Sequence, residues 1–121
     1  MPNSIIKEKS YKFALDVIEL YKFLLKQKEY VLSKQLLKAG TSIGANVEEA
    51  LAAQSRADFL SKMSIASKEA RESKYWLGLL SESGFVEKER LSSLIKEAEN
   101  IIRILTSIVK TTSTKNLKLK T

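Results

Sequence analysis

Apolar residues recur along this chain at alternating steps of three and four in four successive stretches, and charged residues fill the faces between them. That spacing predicts amphipathic helices. The first helix is expected from Ser10 to Lys26, with Ala14, Val17, Ile18, Tyr21, Leu24 and Leu25 on one face and Lys12, Asp16, Glu19, Lys22 and Lys26 opposite. Phe13, Leu20 and Phe23 fall outside that stripe and widen it, and Gln27-Lys28-Glu29 reads as a short polar turn. The second helix is expected from about Tyr30 to Ala53, on the stripe Leu32, Leu36, Ala39, Ile43, Val47 and Ala50. Gly40 and Gly44 weaken it by about 1 kcal/mol each relative to alanine, yet the stripe stays in phase across both. Ser55 suits the N-cap of a third helix, with Asp58 in its first turn. Phe59, Met63, Ala66, Ala70, Ser73, Leu77 and Leu80 then form a heptad seam, and Gly84 sits where a left-handed C-terminal cap belongs. The fourth helix is expected from about Glu87 to Thr111, on a stripe from Leu91 through Ala98 and Leu105 to Val109. No stretch alternates with period two, so no sheet is expected. Long helices joined by short turns pack as antiparallel neighbours, which predicts an all-α, up-down four-helix bundle as a single domain over residues 1–111.

Composition narrows the function classes. The single proline is Pro2, and neither cysteine nor histidine occurs. Disulfides and thiol chemistry are therefore excluded, and a reducing compartment fits. The apolar runs are short and interrupted by charge, so neither a transmembrane span nor a membrane partner is expected. Met1 to Lys9 has no apolar signal core, which makes the cytoplasm the expected location. Without histidine there is no Glu-x-x-His metal pair and no base for a serine nucleophile. An all-carboxylate site from Glu49, Glu69 and Glu72 is the remaining enzymatic alternative. P-loop, dinucleotide and zinc spacings are missing as well. A non-enzyme without cofactor is expected.

The net charge is +7, and its distribution is uneven. Residues 110–121 carry Lys110, Lys115, Lys118 and Lys120 and no acid, whereas residues 1–109 hold 17 basic and 14 acidic residues. Residues 112–121 read as a basic, disordered tail, either an arm for phosphates or a solubilising terminus. Lys7, Lys9, Lys12, Lys22, Lys26 and Lys28 could form a basic strip along the first helix, interrupted by Asp16 and Glu19. No helix-turn-helix, zinc-finger or RNP pattern is present, so any nucleic-acid binding would be electrostatic and largely independent of sequence.

Several central positions depart from ordinary core packing. Gly40 and Gly44 lie four apart and allow close approach of another helix, either within the subunit or across a subunit contact. Ser42, Asn46 and Glu49 lie on successive turns beside the apolar stripe and suggest a polar network or a ligand site. Glu69, Glu72 and Trp76 share one face of the third helix, with Ile65 and Leu79 nearby. Aromatics mixed with charge at helical spacing suit a protein interface. The apolar residues left outside the seams (Phe13, Leu20, Phe23, Ile65, Trp76, Leu79) ask for a second burial partner, which self-association would supply.

The run Ser42-Ile43-Gly44-Ala45-Asn46-Val47-Glu48-Glu49, then Ser55 with Asp58-Phe59, then Lys68-Glu69-Ala70-Arg71-Glu72 leading to Tyr75-Trp76-Leu77, resembles a known family. It is that of the bacterial four-helix bundle proteins named for reading frames within intervening sequences of 23S ribosomal RNA genes. The likeness spans roughly Tyr11 to Thr111. Where that family usually has glycine after the second-helix glutamate, this chain has Ala50. The resemblance implies a ring-shaped homopentamer of antiparallel four-helix subunits without catalytic activity. It also implies kinship with the accessory variability determinant of diversity-generating retroelements, a basic pentamer that binds nucleic acid and a reverse transcriptase. On that analogy Gly40, Ser42, Gly44, Asn46, Glu49, Phe59, Glu69, Glu72 and Trp76 are structural or interface residues. The expected function is electrostatic association of an oligomer with RNA or DNA. The alternative is a scaffold that holds a partner protein on the Trp76 face.

Overall fold

Each amphipathic stretch forms one helix: α1 (Pro2–Lys26), α2 (Leu32–Leu51), α3 (Arg56–Glu82) and α4 (Lys88–Lys120). The structure, a computed structural model, describes the backbone of residues 2–120 and the side chains of residues 3–115. Among the described residues there is no strand. Consecutive helices are packing neighbours, α1 meets α4 more sparsely than it meets α2, and among the described residues the backbones of α1 and α3, and of α2 and α4, do not come close. The four helices thus surround one core, built from residues such as Phe13, Leu36, Ile43, Met63, Leu77, Leu91, Ile101 and Leu105.

The seam of α3 is as the heptad predicts: Met63, Ala66, Ala70, Ser73, Leu77 and Leu80 are buried, with Phe59 partly buried at its start. The α2 stripe is likewise buried from Leu36 to Ala50, and Leu32 is partly so. Ala50, in the place of the family's glycine, puts its methyl group into the core. Buried polar groups find partners within the bundle: Ser73 Oγ donates to the Glu69 carbonyl at 2.8 Å and Ser10 Oγ to that of Lys7 at 3.2 Å.

The phase of α1 differs from the expected one. Its buried seam is Ile6, Ser10, Phe13, Val17, Leu20 and Leu24, whereas Ala14, Ile18, Tyr21 and Leu25 are only half-buried. Phe13 and Leu20 therefore belong to the core of the subunit and do not need another copy to cover them. The reason lies in α2. A Cβ on Gly40 would come within 2.9 Å of Val17 Cγ2, and one on Gly44 within 3.5 Å of the Ser10 carbonyl oxygen. Gly40 thus admits α1 closely where it presents Val17, while a Cβ on Gly44 would make only an ordinary contact with Ser10. Gly40, buried under Val17, is thus an intramolecular contact, and the subunit-contact alternative for it is corrected.

A paired substitution tests this packing. Gly40→Ala is expected to lower stability by about 1 kcal/mol, because overpacking a stiff β-branched neighbour costs roughly 1–3 kcal/mol and the propensity gain returns about 1. Gly78→Ala, where nothing lies within 4 Å of the added Cβ, is expected to raise stability by up to about 1 kcal/mol. Denaturation midpoints that move in the same direction for both would contradict the close approach.

The α1–α2 turn is more constructed than its polar sequence suggests. Lys28 adopts the left-handed φ of 62°. Lys28 N–H then donates to the Leu25 carbonyl at 3.0 Å and Glu29 N–H to that of Leu24 at 2.9 Å, which satisfies the last turn of α1. Glu29 is buried, and its carboxylate accepts from the backbone N–H groups of Val31, Leu32 and Ser33 at 3.2, 2.9 and 2.6 Å. One residue closes α1 and caps α2. At the two predicted caps, Ser55 Oγ accepts from Asp58 N–H at 3.0 Å and Gly84 has φ 85°.

The fourth helix passes the end placed at Thr111. Its bounds reach Lys120, and Thr114 Oγ1 donates back to the Lys110 carbonyl at 2.9 Å. No glycine or proline follows Gly84 to stop it. An exposed helix needs no apolar stripe to continue, so the last apolar residue of the stripe was a poor stop signal. The side chains of Lys118 and Lys120 lie outside the described residues.

Candidate nucleic-acid and partner surfaces

The polar residues of α2 do not converge on a site. Ser42 Oγ donates to the Lys38 carbonyl at 2.7 Å, and Asn46 Nδ2 donates to the Ser42 carbonyl at 2.8 Å. These are bonds along one helix. Glu49 turns away to an ion pair with Lys62 of α3 at 3.4 Å. Lys62 lies two turns before Glu69 on α3, so Glu49 is held away from Glu69 and Glu72 and the three carboxylates do not form one site. Among the described residues no group of three or more carboxylates is placed to hold a metal ion.

Glu69, Glu72 and Trp76 are brought together as their spacing predicts. Trp76 Nε1 donates to Glu72 Oε2 at 3.1 Å, and Tyr75 meets the indole edge-on with centroids 5.1 Å apart. Burial pushes the Glu69 carboxyl above its ordinary value, the nearby Glu72 charge adds to this, and Lys38 partly offsets it. Trp76 is half-buried against the core, while Tyr75, Leu79 and Ile65 beside it are exposed. The face is a small apolar ridge pinned by one hydrogen bond. A second ridge lies on α1, where Tyr11 and Leu15 are exposed. Phe23, by contrast, is covered by Arg90, whose guanidinium carbon lies 3.9 Å from the ring centroid.

The lysine strip on α1 is largely neutralised. Lys7 pairs with Glu48 at 3.8 Å, Lys9 with Glu97 at 3.1 Å, Lys12 with Asp16 at 3.5 Å and Lys22 with Glu19 at 3.2 Å. The strip is therefore not a continuous free positive face, and of its members Lys26 and Lys28 form no ion pair among the described residues. Three cations without an ion partner come together at one end of the bundle. An open cleft of about 960 Å³ lies where the start of α1, the α2–α3 loop and the second half of α4 meet. Arg56, Arg103 and Lys115 line it with Phe59, Ile104 and Ile108, and no lining residue is acidic. Lys110, also exposed, is nearby in sequence on α4. Of the sequence candidates the cleft gathers Lys115 and Phe59. Arg56 and Arg103 escaped the sequence reading because they are 47 positions apart and each is isolated on its own helix. Only the neighbouring of α3 and α4 unites them.

Comparison with known proteins agrees with this architecture. The family model described as 23S rRNA-intervening sequence protein matches residues 2–107. A crystal structure at 1.70 Å of a protein of unknown function from the S23 ribosomal protein family of Bacteroides thetaiotaomicron is similar to this chain, with 49% identity and a TM-score of 0.88. The match covers 91% of this chain and 99% of that one. No curated protein matches.

Proposed function

Because this chain belongs to the 23S rRNA-intervening sequence protein family, we propose that it is a non-enzymatic, self-associating helix bundle of the cytoplasm that holds nucleic acid by charge. The observation that carries the binding half is the cleft where Arg56, Arg103 and Lys115 stand together with no acid among the described lining residues. Among the described residues Arg56, Arg103, Lys110 and Lys115 form no ion pair, whereas Lys7, Lys9, Lys12 and Lys22 do. Copies in a ring would repeat that positive end, and modest sites add by multivalency. Affinity for a single-stranded oligonucleotide should fall linearly in log–log form as salt rises, because bound lysine and arginine displace counterions. Fluorescence anisotropy across a salt series reads the slope; affinity that ignores salt overturns the reading.

The helices of such a subunit alternate in direction. In support, the contacts Lys7–Glu48, Ser10–Gly44 and Val17–Gly40 descend along α2 as they rise along α1. Between α3 and α4, Arg71–Thr106 and Lys74–Glu99 do the same. The self-association half rests on two separate apolar ridges, on α1 and α3, helices whose backbones are not close neighbours within the subunit. Two different patches joined head to tail generate a ring when the rotation closes, and the pentamer of the resemblance is such a ring. Leu15→Glu and Leu79→Glu should each reduce the solution mass to that of a single chain. Mixed, they should recover one contact, since each retains the patch the other lacks. Light scattering that shows intact assemblies for both variants would defeat this arrangement.

A second reading has its own observation. The Trp76–Glu72 hydrogen bond fixes an indole beside exposed Tyr75 and Leu79, the makings of a pocket-edge anchor for a partner protein. Capture of one partner that survives nuclease treatment and is lost in Trp76→Ala would favour it.

A further inference from the structure

We propose that the cleft between the start of α1, the α2–α3 loop and α4 binds a nucleoside phosphate, free or as one unit of a single-stranded nucleic acid, with the phosphate on Arg56 and Arg103 and the base against Phe59. The proposal rests on the nucleic-acid reading above and gives it a location and a chemistry. Three observations converge. At about 960 Å³ the cleft is at the upper end of small-molecule sites, large enough for a nucleotide and its neighbour. Its cations come from both α3 and α4, and the acids nearest Asn100 on α4 are already committed, Glu97 to Lys9 and Glu99 to Lys74. Asp58, in the first turn of α3, is the acid closest in sequence to Arg56, but it does not line the cleft.

The third observation is the apolar wall. Phe59, Ile104 and Ile108 lie beside the cations. Ile108 belongs to the core and Phe59 and Ile104 pack against it, so the wall is the edge of the core that faces the cleft, and a base offers an apolar face and a phosphate within a few ångströms of each other. Asn100 Oδ1 accepts from Arg103 Nη2 at 3.3 Å, which holds the guanidinium at the rim. Planar guanidinium groups bind phosphate in a two-pronged geometry that lysine cannot reproduce. Aromatic side chains accept any base by stacking, which requires the base to be unpaired. Single strands should therefore bind in preference to duplex.

The test compares the full chain with two double variants, Arg56→Gln/Arg103→Gln in the cleft and Lys12→Gln/Lys22→Gln on α1. All four residues are exposed, so folding should be unaffected. The probes are a fluorescent oligouridylate, the corresponding duplex, and AMP. The cleft pair should lose about tenfold or more in oligouridylate affinity, and the α1 pair about twofold or less. Phe59→Leu, which keeps the wall apolar, should cost roughly fivefold by lost stacking. AMP should bind the parent and not the cleft pair.

Equal losses in both double variants would show diffuse binding and overturn the cleft, leaving the nucleic-acid reading intact. A preference for duplex would overturn the stacking arrangement. If the parent binds no oligonucleotide at low salt, the nucleic-acid reading fails. Loss of AMP binding in the cleft pair would then still uphold the site as one for a free nucleotide, and absence of AMP binding would end it.

Discussion

Phe13→Ala should lower the stability of the subunit by about 3–5 kcal/mol, the range for removing a fully buried aromatic side chain. The ring is wholly enclosed in the core, between Ser10 and Val17 on the seam that α1 turns toward α2. Truncation leaves a cavity that a bundle of long helices cannot collapse, because closing it would pull Val17 and Leu20 out of register as well. A thermal midpoint lower by roughly 10 °C or more follows for a domain of this size. The loss should be the same at dilute and concentrated protein, since the contact is internal. That concentration independence separates the core position from the interface position its spacing suggested. A variant that melts like the parent but dissociates on dilution would restore the interface assignment. Leu15→Glu provides the contrast, because it should change mass far more than melting.

The second large effect is expected at Glu29. Glu29→Ala removes the acceptor shared by Val31, Leu32 and Ser33 N–H at the start of α2 and should cost about 2 kcal/mol. Burial raises the carboxyl of Glu29, but hydrogen bonds from Leu32, Ser33 and Val31 outweigh it and hold the folded value below the ordinary 4.5. A depressed acid stabilises the fold fully above its unfolded value. That contribution fades as pH falls below about 4.5 and is gone once pH passes the folded value. The stability difference between the parent and Glu29→Gln should therefore be largest near neutral pH and shrink in acid. Glu69, displaced upward, works in the opposite sense, which is why the difference between the two proteins and not the parent curve alone is diagnostic. Urea midpoints at several pH values measure it; a difference independent of pH would mean that the cap is not ionic.

The same two residues mark the limit of reading the chain. The seams of α2, α3 and α4 were legible because each helix carries one dominant stripe, and a single stripe has only one way to face a core. In α1 two apolar stripes overlap at Val17 and Leu24, and counting apolar residues selects the one without Ser10. The choice between them belongs to Gly40 on another helix, which leaves room for Val17. Glu29 read as part of a solvated turn because nothing local reveals that its carboxylate folds back onto the next helix. Ser55 and Gly84 were legible because a cap of that kind acts within its own turn.

The candidate surfaces divide in the same way. The Glu72–Trp76 contact is an i,i+4 pair, fixed by helical geometry once the helix is known. Asp16 and Glu19 were visible beside Lys12 and Lys22 on α1, but the pairing of Lys7 and Lys9 was not, since Glu48 and Glu97 lie on other helices. Arg56 and Arg103 have meaning only together. By itself the sequence determined four helices, most of their buried faces and the excess of positive charge, all properties repeated every turn or summed along the chain. The tertiary structure alone decided which stripe of α1 is the core, that Lys7 and Lys9 are paired, and that Arg56 and Arg103 share one cleft. Each of those depends on a partner from a different helix, and no spacing along one strand of sequence encodes that distance.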